Sequence, residues 1–162
     1  QAECERLARR RDGLRLRADA LSLLHDMLQA QRAAATQRLQ APLMQRLQHY
    51  LNLLFPDARM RLDDALLPHG MVRGADDGEL ASLSYGTQEQ LGILVRFAYA
   101  DVLREAGRPT LLILDDALVH TDAQRREWMK RALFDAASRH QILMFTCHAE
   151  AWRDLGVAQR RL

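Results

Sequence analysis

Two adjacent carboxylates, Asp115 and Asp116, close the apolar run Leu111-Leu112-Ile113-Leu114, and a histidine, His148, follows a second such run, Ile142-Leu143-Met144-Phe145. Neighbouring aspartates repel one another and are costly to hold unless something positive lies beside them, and a divalent metal carrying phosphate is the natural candidate. Upstream, Leu83-Ser84-Tyr85-Gly86-Thr87-Gln88-Glu89-Gln90 opens a helix with a serine hydroxyl and a glycine at its start, where backbone N–H groups attract anions. Taken singly, each signal has a plain reading: Asp-Asp can open a turn, His148 can be structural, and many helices begin this way and bind nothing. Their company points to a phosphate site.

The elements that must position these residues follow from periodicity. Leu111 to Leu114 are too few for a helix and show no polar alternation, so they predict a strand buried on both faces. Thr87 with Gln90, and Thr121 with Gln124, fit capping boxes. They predict helices carrying the stripes Leu91, Leu94, Val95, Ala98, Val102, Leu103 and Trp128, Met129, Ala132, Leu133, Ala136. Strand, helix, strand sets the two strands parallel and brings His148 to the same sheet edge as Asp115 and Asp116, where ligands of open α/β sheets sit.

Before these elements, residues 1–54 hold one glycine and one proline, Gly13 and Pro42, and leucines recur at 7, 14, 21 and 28, the seam of a coiled coil. From Leu39 the stripe tightens to Leu39, Leu43, Leu47, Leu51 and Leu54, as expected of an arm entering a globular body. Phe55-Pro56-Asp57 ends that helix. Alternation around Arg59 to Leu62 and Met71-Val72 predicts two or three small antiparallel strands, with His69 in a turn.

Composition bounds the function classes. The 162 residues are 48% hydrophobic and 27% charged with a net charge of +2, a globular balance too neutral to argue for nucleic acid by itself. Arg6, Arg9, Arg10, Arg11, Arg15 and Arg17 nonetheless crowd the first seventeen residues, either as a solvated helix face or as a stripe for DNA phosphates. Cys4 and Cys147 do not make a disulfide framework, so a reducing cytoplasm is expected, and no apolar run approaches a membrane span. The chain begins at Gln1, which reads as part of a longer protein.

The order of the motifs resembles the C-terminal half of an ABC-type ATPase head of the SMC, RecN and SbcC group. The wording LSYGTQEQLGILVRFAYADVL, LLILDDALVHTD and FTCH is most similar to the YhaN-like branch of SMC-like ATPases. The resemblance covers roughly residues 80–155. It implies an α/β fold, the C-terminal lobe of a P-loop head with parallel strands and helices, in residues 55–162, preceded by a coiled-coil arm helix in residues 1–54.

The resemblance also implies roles for individual residues. Asp115 would be the Walker B aspartate holding Mg²⁺, and Asp116 the carboxylate that orients or deprotonates the attacking water. Ser84 and Gly86 would belong to the signature motif that meets the γ-phosphate of ATP on an opposing head. Asp122 would be the D-loop acid and His148 the switch histidine.

Three departures stand out: Asp116 where glutamate is common, Tyr85 and Thr87 among the signature residues, and Val119-His120-Thr121 before Asp122. Nothing fits the phosphate-binding loop G-x-x-x-x-G-K-[ST], and the single lysine, Lys130, lies in a predicted helix.

The expected partners are accordingly a Walker A half of the same protein, a second head, DNA, and a nuclease subunit, with no membrane. The expected activity is ATP hydrolysis in a composite site serving DNA maintenance or repair, with this chain alone inactive. Two other readings remain. One is a metal-dependent nuclease or phosphohydrolase using Asp115 and Asp116 directly, although Asp101, Glu127 and Asp135 fall on helices away from the strand ends. The other is a non-catalytic coiled-coil interaction module.

Overall fold

The computed structural model describes residues 2–160. The chain forms two compact units, Gln1–Arg38 and Leu39–Leu162. The first consists of the leading turns of helix α1 (Ala2–Leu54), on which Leu7, Leu14, Leu21 and Leu28 are all more than half exposed. Nothing covers the predicted seam among the described residues.

In the second unit the end of α1 buries Leu43, Leu47, Tyr50, Leu51 and Leu54, as the tightening stripe requires. Three short strands follow, β1 (Ala58–Leu62), β2 (Pro68–Arg73) and β3 (Asp76–Glu79), paired antiparallel in that order. His69 lies within β2 rather than in a turn, because the chain reverses earlier, at Asp63 to Leu67. There Asp63 Oδ1 accepts from the N–H groups of Ala65 and Leu67, a local bond that favours the turn.

Helix α2 (Tyr85–Glu105), strand β4 (Leu111–Asp115), helix α3 (Ala123–Ala137) and strand β5 (Gln141–Phe145) complete the unit, closing with a 3₁₀ turn over Ala149–Leu155. β4 and β5 pair in parallel, Leu111 opposite Gln141 through Asp115 opposite Phe145, so both strands end at one edge. The core gathers Leu91, Leu94, Phe97 and Ala98 of α2, Met129, Ala132 and Ala136 of α3, and the end of α1.

Two expectations are corrected. β4 is not buried on both faces: Leu112 and Leu114 are buried, whereas Leu111 and Ile113 are 48% and 58% exposed, and Leu143 and Phe145 of β5 about 40%. The run is apolar throughout, as in a sheet sandwiched between layers, but only its Leu112–Leu114 side meets the core. The helix starts also differ. Ser84 rather than Thr87 caps α2 and Asp122 rather than Thr121 caps α3, because their side chains accept from the N–H groups of Thr87 and Arg125. Thr87 and Thr121 are instead buried and bonded elsewhere.

Candidate phosphate site at the strand ends

The site residues sit where β4 and β5 stop. Asp115 is the last residue of β4, exposed, and lines a concavity of about 460 Å³ with Glu89 and Arg96 of α2 and Ile113 of β4. Asp116 turns back toward β5: its N–H donates to the Phe145 carbonyl at 2.9 Å. Its carboxylate accepts on both oxygens, from the N–H of Cys147 at 2.9 Å and from the Cys147 thiol at 3.4 Å. Those bonds hold the Asp116 carboxyl below the usual carboxylate range, while the same contact pushes the Cys147 thiol up. Asp116 is thus a fixed, ionised acceptor.

His148 follows at once, exposed, its N–H donating to Thr146 Oγ1 at 3.0 Å. A protonated imidazole there would add to the stabilisation of ionised Asp116. Asp115, Asp116 and His148 therefore share one sheet edge.

The turn after Asp116 is strained. Asp116 and Leu118 both have positive φ, 40° and 68°, which costs a side-chain-bearing residue free energy and persists only where surroundings enforce it. The enforcement comes from the start of α2. Glu89 Oε1 accepts from the Leu118 N–H at 2.9 Å, and Gln90 Nε2 donates to Thr121 Oγ1 at 3.1 Å. Arg125 Nη1 donates to Thr87 Oγ1 at 2.9 Å. A Cβ on Gly86 would lie 2.5 Å from the His120 carbonyl oxygen, so only glycine permits this approach. Tyr85 stacks edge-on against His120 at 4.9 Å. Of the unusual residues, Tyr85, His120 and Thr121 thus belong to the contact between the α2 start and the loop before Asp122, while Thr87 ties that start to Arg125 of α3.

Ser84 Oγ is within 2.9 Å of Thr87 Oγ1 and caps the helix, leaving the first N–H groups of α2 without intrahelical partners, as at any helix start. Asp122 caps α3, exposed, with Arg125 Nε 3.5 Å away. Ser84, Gly86 and Asp122 therefore adjoin one another through the α2–loop contacts, one structural step from the strand-end trio.

Neither a protein-family model nor a curated protein matches the sequence. Solved structures do match the coordinates. The SMC head domain from Thermotoga maritima superposes with a TM-score of 0.56 and 23% identity, covering 78% of this chain and 44% of that one. A chain from a structure described as the structural biochemistry of ATP-driven dimerization and DNA-stimulated activation of SMC ATPases gives 0.56 at 15% identity, covering 79% and 83%. The Smc head with an extended coiled coil from Pyrococcus furiosus, bound to the C-terminal domain of ScpA, gives 0.54 at 15%, covering 74% and 30%. The fold is that of part of an SMC head domain. This chain spans 44% of the Thermotoga head's length.

The single lysine is engaged by carboxylates of its own chain. Lys130 is buried on α3, its Nζ 2.7 Å from Glu127 and from both oxygens of Asp154, and 6.0 Å from the Trp152 ring centroid. Asp101, Glu127 and Asp135 all lie on helices, and no three His, Cys, Asp or Glu side chains among the described residues cluster to hold a metal. That donor set does not support direct metal binding by protein side chains alone, as a two-carboxylate nuclease would need. It does fit Mg²⁺, which binds through one or two carboxylates and takes its other ligands from water and phosphate. No helix among the described residues is long and apolar enough to cross a membrane.

Two site residues carried no mark in the sequence. Glu89 acts on a backbone N–H, which no side-chain pattern reveals. Cys147 stood beside His148, but its role as the donor fixing Asp116 follows only from the parallel register.

Proposed function

We propose that this chain is the C-terminal half of an SMC-like ABC ATPase that hydrolyses ATP in a composite site between two heads, serving DNA maintenance or repair in the cytoplasm. Residues 1–54 form its coiled-coil arm helix entering the head, the stretch from Leu39 packing with the lobe of residues 55–162, and the wording of the motifs favours the YhaN-like branch. The observation that carries the reading is the convergence of Asp115, Asp116 and His148 at one edge of a parallel strand pair in a chain with the SMC head fold.

Asp115 would hold Mg²⁺, which when bound to ATP neutralises phosphate charge. Asp116, fixed by Cys147 and ionised, is suited to orient the attacking water; its lowered proton affinity makes it a weak base. His148 would meet the terminal phosphate from the loop after β5. Ser84 and Gly86 at the start of α2, with Asp122 beside them, would face the nucleotide of a second copy, so that phosphoryl transfer is catalysed by positioning and charge.

The exposed strip Leu111, Ile113, Leu143 and Phe145 supports the need for a Walker A half: an apolar sheet face of this kind is normally covered. DNA is the partner suited to the arginines of the arm, and a nuclease subunit belongs to the same reading. The likeness to SMC ATPases described as dimerising with ATP and stimulated by DNA supports the second head and DNA as partners.

The test is ATP hydrolysis by this chain alone and mixed with a separately produced phosphate-loop half, with Asp116→Asn as control. Activity is expected only on mixing and is lost in the variant. Metal-dependent cleavage of DNA or phosphoesters by this chain alone would overturn the reading.

A further inference from the structure

Among residues given no role by the motifs, Glu89 stands out. It lies one turn into α2, points at the loop after β4 and lines the same concavity as Asp115. Its Oε1 takes the Leu118 N–H, while Oε2 is buried without a partner among the described residues. Glu89 is part-buried, but leaving one shielded carboxylate oxygen without a partner is still unfavourable, so packing alone does not account for a glutamate here.

Its target is the strained part of the chain. Between Asp116 and Leu118 two residues bearing side chains occupy the left-handed region, and such a turn springs back unless held at both ends. At the Asp116 end the holders are Phe145 O at the end of β5 and the Cys147 donors just beyond it. At the Leu118 end the holder is Glu89, with the buried Leu118 side chain seated in the core.

We propose that Glu89 is a positioning residue for Asp116: by accepting the Leu118 N–H it locks the left-handed turn and so fixes the direction of the water-orienting carboxylate. This rests on the proposed ATPase function. Because Glu89 sits on the same helix start as Ser84 and Gly86, the inference also makes that start and the aim of Asp116 a single mechanical unit. What displaces α2 at its first turns displaces Asp116.

The experiment pairs two readouts. In the mixture with the phosphate-loop half, Glu89→Ala is expected to lower kcat about 10- to 100-fold, the scale of a roughly 1 Å misplacement, with KM for ATP nearly unchanged. Glu89→Gln, whose amide oxygen still accepts, keeps kcat close to wild type. In this chain without nucleotide, the Leu118 amide exchanges about three- to tenfold faster in Glu89→Ala, the scale of one lost hydrogen bond, and is unchanged in Glu89→Gln.

Wild-type kcat in Glu89→Ala, unaltered Leu118 exchange, or equal damage in Glu89→Gln each overturns the inference. If Glu89→Ala loses amide protection throughout β4 and β5, Glu89→Asp decides. It keeps the charge but falls a methylene short of Leu118, and is expected to lower kcat as the alanine would; wild-type kcat there overturns the inference. Inactive Asp116→Asn beside a normal Glu89→Ala sinks this inference alone. No hydrolysis by the wild-type mixture sinks the ATPase reading together with it.

Discussion

Strand β5 has an aspartate–histidine neighbourhood at each end, built from the same residue types with opposite outcomes. At its start, Asp101 and His140 are almost fully buried: Asp101 takes Tyr50 OH at 2.9 Å, Arg139 Nε at 3.0 Å and His140 Nε2 at 2.7 Å. Arg139 continues to Asp135 at 2.6 Å, and His49 reaches the same Asp135 oxygen at 2.9 Å. At its far end, Asp115, Asp116 and His148 are exposed, and Asp115 faces an open concavity. The first group's hydrogen bonds tie α1, α2 and the lead into β5 together, leaving only the buried His140 Nδ1 without a partner within it. The second leaves capacity for something outside the protein, and that difference separates a scaffold from a site.

The sharpest way to break the comparison is at Asp101. Asp101→Ala leaves the buried Tyr50 hydroxyl, Arg139 and His140 without their shared acceptor and is expected to cost about 3–5 kcal/mol in urea unfolding. Asp116→Asn should leave the unfolding midpoint near wild type, and equal destabilisation by the two would erase the distinction.

The pH dependence has a definite sign. Burial opposes ionisation of Asp101, but Arg139, His140 and Tyr50 outweigh it and hold the carboxyl below its ordinary range. The stability this contributes is therefore complete above the unfolded value of about 3.9 and is lost as pH falls through the folded one. Asp101→Asn should flatten the loss of stability below about pH 4.

A smaller effect sharpens the account of the α2–loop contact. Gly86→Ala sets a Cβ against the His120 carbonyl and should cost about 1–3 kcal/mol. An unchanged unfolding midpoint would mean that the loop yields freely. Smallest is Asp122→Ala, which removes the α3 cap and should cost about 1 kcal/mol in thermal unfolding. No loss there would leave the Asp122 carboxylate with no structural role.

How much of this was legible beforehand depends on whether the determinant is local. The helix stripes, the order of strands and the common edge of Asp115, Asp116 and His148 all follow from spacing and the parallel rule. Asp101 was legible only as a helical carboxylate away from the strand ends. Its four-way knot needs α1 and the Arg139-His140 corner to converge, and periodicity says nothing about that. The caps went to Ser84 and Asp122 because tertiary contacts claimed Thr87 and Thr121. The exposure of Leu111 and Ile113 was hidden because an apolar run describes a strand's intended neighbours, and only one of its two faces meets the core in this chain.

Lys130 has a consequence for chemistry done on the protein rather than by it. Cationic side chains are otherwise all arginine, so within this chain lysine-directed acylation or conjugation has one side-chain target. That target is an ammonium clasped by Asp154 of the closing 3₁₀ turn and by Glu127, its proton affinity raised by both despite burial. Its reaction rate is a built-in gauge of how often the last turn lifts from α3.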